Sequence, residues 1–311
     1  MQRRNRKFTP EELAILFPKP PQPPMPKADA APPPSMVVAL MGGLGNQMFQ
    51  YAFGISVAAA RHEDVGFTIH RLRNDRFRPM GYQLDGLVED IKIVPNTAEQ
   101  QGGAWFTDQG EFFAYQPNVY TVDLPKTFVG YWQTEKYFNV ELVRRKITFR
   151  YPLSEQSLKV AEQIDKAGKG SAFLHIRRGA DYRRNAVHKI MPLDYYREAI
   201  FRIHENHTDA KYFLFGDDPE WMRAMFVGPE FTIVDHIKPD TNAIHEDMHL
   251  MSLCQNGAIA NSSFSWWAAW LGDPKNEKMI FAPSAWFGTI GEAMADIRDL
   301  MPARWTKLEI K

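Results

Sequence analysis

One cysteine in 311 residues, Cys254, leaves no partner for an intramolecular disulfide and no Cys cluster for zinc. That excludes a disulfide scaffold and fits a reducing compartment. Net charge of one sign is also missing. Lysine plus arginine and aspartate plus glutamate number 37 each, so the chain lacks the basic surplus of a dedicated nucleic-acid coat, although a local basic cleft is compatible with a neutral total. No run of about 20 apolar residues is present to span a membrane, and residues 1–30 lack the apolar stretch of a signal peptide. A soluble, cytoplasmic protein is the expectation. What is abundant is apolar and aromatic. The chain is 44% hydrophobic with 21 Phe, 11 Tyr and 8 Trp, which excludes bulk disorder and supplies core for about two domains at roughly 150 residues each.

Composition shifts near residue 36. Pro18–Pro34 holds nine prolines in seventeen residues, behind a start that carries Arg3, Arg4, Arg6 and Lys7. Proline at that density removes backbone donors and favours extended polyproline II, so residues 1–35 read as a disordered basic, Pro-rich tail. Its charge suits a solvated tail or a weak contact with an anionic membrane surface, which would make the protein peripheral to the inner membrane.

Ordered structure is expected from Val37–Met41, a short apolar strand that runs through Gly42, Gly43 and Gly45 into a helix over Asn46–His62. Val65–Ile69 reads as a second strand, 70–125 as short irregular pieces, Phe128–Trp132 as a strand, and Glu135–Arg145 as a helix. Ala167–Gly170 reads as a hinge, which divides the ordered chain into lobes at 36–168 and 169–311. Beyond it strand and helix alternate strictly. Strands are predicted at Ala172–Ile176, Tyr212–Phe215, Phe231–Val234, Ala258–Ala260 and Met279–Ala282. Helices are predicted at Leu193–Asn206, Glu220–Phe226, Ala243–Cys254 and Phe264–Leu271. Such succession implies a parallel sheet with covering helices, a Rossmann-like α/β lobe.

Ligands of open parallel sheets bind beyond the carboxyl ends of the strands, and four polar clusters fall there. GGLGNQ, residues 42–47, joins a strand to a helix; its glycines allow close backbone approach and the helix start offers free N–H groups. A dinucleotide fingerprint needs a glycine where Met48 stands. HIRRGADY, residues 175–182, puts His175 and Arg177 on one side of a strand exit, where a guanidinium fork suits a phosphate. Asp181 is a candidate base or arginine partner. FGDD, residues 215–218, offers Asp217 and Asp218 to a divalent cation, to a guanine or ribose, or to the next helix as an N-cap. NSSFSWW, residues 261–267, supplies Ser262, Ser263 and Ser265 with a helix start, an anion cradle or a plain serine cap. His245 and His249 lack a third metal ligand and read as surface or capping residues.

In this order the clusters resemble the bacterial α-1,2-fucosyltransferases, glycosyltransferase family 11. The resemblance runs from Met36 to about Phe287 and also takes in GYWQTEKYF at 130–138 and EDMHLMSLCQNGAIANSSFSWWAAWL at 246–271. It implies a GT-B-like fold, two Rossmann-like lobes facing a central cleft. The first lobe would take a galactose-terminated oligosaccharide, the second GDP-fucose. It implies inverting transfer of L-fucose to the galactose 2-hydroxyl with no metal and no cofactor beyond the donor substrate. Residue by residue, it places Arg177 at the β-phosphate, His175 at the nucleotide and Asp218 at the guanine edge, with Arg178 and Asp217 also on the donor side. Ser262, Ser263 and Phe264 would wrap the diphosphate, Asn261 and Ser265 would belong to the same donor site, and Gly43, Asn46 and Gln47 would face the cleft from the acceptor side. Arg177, Asp181 and Asn46 are then the candidate catalytic residues. Ala180 is inserted where the family runs directly from glycine to aspartate. A non-catalytic protein that binds a sugar nucleotide or a glycan, and a metal-dependent glycosyltransferase using Asp217 and Asp218, are the alternatives.

Overall fold

The computed structural model describes residues 34–74, 81–94, 105–107, 113–179, 182–183, 188–237, 244–288 and 295–310. The expected tail therefore lies almost wholly outside the described residues, as do Ala180 and Asp181.

Two wholly parallel sheets form the frame. The first contains β1 (Met36–Ala39), β2 (Val65–Thr68), β3 (Trp105–Thr107) and β4 (Lys126–Val129) in the order β2-β1-β4-β3. The second contains β5 (Ser171–Ile176), β6 (Lys211–Gly216), β7 (Phe231–Val234), β8 (Asn256–Ala258), β9 (Met279–Pro283) and β10 (Thr306–Leu308). Its order is β10-β9-β8-β5-β6-β7. Counted from β5, this is the doubly wound order of a Rossmann sheet, whose switch point lies between the first and fourth strands. β5 and β8 are those strands. In the first sheet the order reverses between β1 and β4. The expected GT-B-like pairing of two Rossmann-like units is the observed one.

Helices follow from local signals. α1 (Leu44–Arg61) starts after Gly42, whose φ of +73° favours glycine, and ends on His62 in the left-handed region. α2 is the short His70–Asn74. The Asn139 side chain caps α3 (Val140–Lys146) by accepting from the Leu142 amide at 3.1 Å, and the Ser154 hydroxyl caps α4 (Glu155–Ala167). α5 (Leu193–Asn206), α6 (Pro219–Met225), α7 (Ile244–Leu253) and α8 (Ser263–Gly272) complete the second unit.

Several boundaries differ from the expected ones for identifiable reasons. β4 ends before Gly130, whose carbonyl is taken by the Gln50 amide, and Trp132 turns away at φ 53°. The single helix expected over Glu135–Arg145 is a 3-10 turn at Glu135–Tyr137 followed by α3, separated by the Asn139 cap. Ala167–Gly170 is the close of α4 and a further 3-10 turn, and α4 packs on β5, β6 and α7. The chain thus joins the second unit by Glu155, ahead of residue 169.

The two units share one core. Trp266, Trp267 and Trp270 of α8 are almost fully buried, and Phe49 of α1 lies 4.5 Å from Trp266 and 5.1 Å from Trp267 between ring centroids. The Trp267 indole donates to the Gly45 carbonyl at 3.0 Å. A β-carbon on Gly45 would lie 2.5 Å from the Ser263 carbonyl carbon and 2.6 Å from the Phe264 nitrogen. Gly45 therefore serves helix-to-helix contact between the units as well as the loop. Gly45→Ala gains about 1 kcal/mol of helix propensity but overpacks backbone against backbone, at a cost of about 3 kcal/mol. Its melting midpoint should fall by several degrees. Gly168→Ala, with φ +55° and nothing within 4 Å, should fall less.

His245 and His249, expected as surface or capping residues, are half-buried and pack against neighbouring groups. His249 stacks flat on Phe149 (4.1 Å, 5°), and His245 lies against the Tyr151 ring and over Gly86. No helix among the described residues is long and apolar enough to cross a membrane.

Candidate active site

The carboxyl ends of both sheets, at both switch points, face the same cavity of about 390 Å³. Gly43, Gly45 and Asn46 reach it from the end of β1, and Tyr131 and Gln133 from the end of β4. From the second sheet come His175 and Arg177 after β5, Gly216 and Asp217 after β6, and Asn261, Ser262, Ser263 and Phe264 after β8.

Arg177 is the cation of this cavity. Asp217 pairs with it at 3.0 Å and also accepts from the amides of Arg178 (2.6 Å) and Gly179 (2.9 Å). One carboxylate thus holds both the guanidinium and the loop that presents it. The Arg177 guanidinium carbon sits 5.0 Å from the Tyr182 ring centroid, and the Tyr182 hydroxyl donates to the Asn261 carbonyl. His175 is buried beside Arg177 with no hydrogen-bond partner at Nδ1. Burial, and then the positive charge of Arg177, pull its pKa down to about 3, so the imidazole is neutral at physiological pH.

α8 begins at this cavity without a side-chain cap, because the Ser262 hydroxyl accepts nothing from the first turn. The first-turn N–H groups and the positive end of the helix dipole are therefore open to an anion. Ser263 donates its hydroxyl to Asn46 Oδ1 at 2.7 Å, and the Gln133 amide donates to the same oxygen at 2.8 Å. This three-residue bridge draws on three segments of chain and fixes the Asn46 carboxamide, whose Nδ2 lies against Gly42.

Four expected site residues are structural. Gln47 is fully buried; its amide donates to the Gly42 and Gly81 carbonyls and its oxygen accepts from the Gln83 amide, so it ties loops together behind the cavity. Arg178 lays its guanidinium over Trp221 at 4.1 Å. Asp218 caps α6 through the Trp221 amide (3.2 Å), pairs with Arg183, and is not among the residues that line the cavity. Ser265 is fully buried and donates to the Ser262 carbonyl. Asn261 lines the cavity, although its Nδ2 is spent on the Lys189 and Trp286 carbonyls.

Asp247, on α7, is a site residue that the sequence reading passes over. It lines the cavity and Oδ1 has no partner. Burial, and then the neighbouring Glu246 carboxylate, push its pKa up to about 8. Glu246 itself is occupied at the start of α4, accepting from the Ser154 amide and hydroxyl. The adjacent pair Glu246-Asp247 was the available signal, but acids at a helix start usually compensate its dipole.

Two doubly wound sheets thus enclose between them a guanidinium, an uncapped helix start and a half-buried carboxyl. The family model described as Glycosyl transferase family 11 matches residues 34–289, and the chain belongs to that family: it is a glycosyltransferase. It is 30% identical over 298 residues to an alpha-1,2-colitosyltransferase of Escherichia coli, covering 88% of this chain and 99% of that one. It is 40% identical over 135 residues to the O-antigen biosynthesis glycosyltransferase WbnK of Escherichia coli, covering 42% and 43%. Among solved structures, fucosyltransferase NodZ from Bradyrhizobium is similar at 14% identity with a TM-score of 0.46, covering 75% of this chain and 91% of that one.

Proposed function

We propose that this enzyme transfers L-fucose from GDP-fucose to the 2-hydroxyl of a galactose residue, with inversion and without a metal. The observation that carries the reading is the convergence of Arg177 and the uncapped start of α8 on one cavity. Cleavage of the sugar–phosphate bond builds negative charge on the departing β-phosphate, and fixed positive groups there favour the transition state over the ground state. Asp247 suits the donor face of guanine, whose N1–H and N2 amino group require acceptors. The α-1,2 linkage is supported by the family resemblance and by the name of the Escherichia coli relative.

The acceptor hydroxyl attacks opposite the phosphate. Asn46, held by Ser263 and Gln133, is suited to orient that hydroxyl but not to take its proton. His175 is too weak a base for that step, and Asp217 is already committed to Arg177. Asp181 is the proposed base; the oxocarbenium-like transition state needs only weak activation of the nucleophile.

Both carboxylates of the alternative metal site are otherwise engaged, Asp217 by Arg177 and Asp218 by the α6 cap and Arg183. Activity should therefore persist in excess EDTA; loss that Mn²⁺ restores would favour the metal-dependent reading. The function itself is tested by incubating the protein with GDP-fucose and galactose-terminated acceptors and reading linkage by NMR. An α-1,2-fucosylated product is expected, and none with any galactoside would refute the assignment. Colitose as the transferred sugar is a second reading, from the relative's name; competition between a fucose and a colitose donor decides the sugar.

A further inference from the structure

One wall of the cavity is a run of rings of which Tyr182 alone serves the donor reading and none serves the Asn46 bridge. Tyr131 stacks on Phe113 (6.1 Å, 12°), Phe113 lies tilted against Phe287 (5.3 Å, 37°), Phe287 tilted against His188 (6.0 Å, 31°), and His188 stacks on Tyr182 (4.9 Å, 21°). All five line the cavity. At one end Tyr182 carries Arg177 over its ring; at the other Tyr131 sits two residues from Gln133, the partner of Asn46.

We propose that this aromatic arc is the platform on which the acceptor sugar lies, with the C–H face of a galactose-configured pyranoside against Phe113 and Phe287. The proposal rests on the transfer reading above. Three observations support it. First, the arc leads from the leaving-phosphate cation to the Asn46 amide, the span an attacking sugar must occupy for in-line displacement. Second, Phe113 holds φ 99°, a conformation that costs a bulky side chain about 1–3 kcal/mol and clusters at functional sites. Core filling does not require that cost, because bulk can be delivered from an ordinary backbone. Third, the arc offers apolar ring surface from several separate chain segments, a lining for a neutral sugar and not for a phosphate.

The chemistry selects the sugar. An axial 4-hydroxyl brings the C3, C4 and C5 hydrogens of galactose onto one face, a continuous apolar patch for stacking. Glucose turns its C4 hydrogen to the opposite face. With the C3–C5 patch on the rings, the equatorial 2-hydroxyl projects from the edge, open to the donor.

Phe287→Leu and Phe113→Leu keep apolar bulk and remove the ring face. Each should raise the KM for a β-galactoside acceptor about tenfold or more, roughly the loss of one stacking contact. GDP affinity by calorimetry should stay within about twofold of wild type. Folded variants with unchanged acceptor KM, or with acceptor KM and GDP affinity weakened equally, would overturn the proposal. Saturation-transfer NMR on the GDP-loaded wild type gives a reading that needs neither variant nor turnover. Methyl β-galactoside should receive saturation chiefly at H3, H4 and H5, and methyl β-glucoside far less. Equal transfer to both sugars, or none to either, contradicts the platform. An enzyme that fucosylates galactosides while its leucine variants keep their acceptor KM sinks the platform alone. A galactoside that stacks as described on a protein unable to use GDP-fucose sinks the donor assignment alone.

Discussion

Arg177→Ala should lower kcat by about 10³-fold, the scale of losing a fixed charge aimed at a leaving group. Its melting midpoint should remain near that of wild type. The guanidinium sits at the exit of β5, held by Asp217 at 3.0 Å and by the face of Tyr182. Removing it leaves Asp217 its two backbone amide donors, so no carboxylate is stranded without hydrogen bonds. Arg177→Lys should recover only part of the rate, because an ammonium restores charge without the two-pronged donor geometry. Steady-state rates with GDP-fucose, beside circular dichroism melts, check both. A near-normal alanine variant would remove Arg177 from the chemistry.

Asp247→Asn should weaken GDP-fucose about 100-fold, in the range of a lost hydrogen bond to a charged group plus a mismatched amide donor. The pH dependence carries the sharper signature. In the ligand-free cavity the carboxyl is held up to about 8 by burial and Glu246, so below that pH it is mostly protonated. Guanine presents donors and requires the ionised form, so binding releases a proton below about pH 8. Affinity should therefore climb by close to tenfold per pH unit between about pH 6 and 8 and level off above. GDP-fucose itself does not titrate in that window. Calorimetry across it should show this slope for wild type and a flat line for Asp247→Asn; a flat wild-type profile would contradict the assignment.

The second sheet is legible in the sequence because buried parallel strands read as short apolar runs between amphipathic helices. α4 is not. Apart from Leu158, Val160, Ala161 and Ile164 its residues are largely polar, and only Ser157 and Ile164 are buried. β10 is three residues, Thr306-Lys307-Leu308, too short to carry a period.

At the site, position along the chain locates a strand exit but not the direction of each side chain. His175, Arg177, Asn46, Ser262 and Ser263 reach the cavity as expected, whereas Arg178 and Asp218, one residue from Arg177 and Asp217, fold back onto Trp221 and α6. Gln47 follows Asn46 directly, yet one turns into the helix packing and the other toward the cleft, as the 100° step of a helix requires. Asp247 looks like an ordinary helix-start acid until its lack of partners is seen in three dimensions. The aromatic arc is least visible, since its rings lie far apart in sequence and share no motif.

A crystal structure of the complex with guanosine diphosphate is the most direct measurement. β-Phosphate oxygens within hydrogen-bond reach of both the Arg177 guanidinium and the Ser263–Phe264 amides are the predicted result. A diphosphate bound elsewhere, out of reach of both groups, would contradict it.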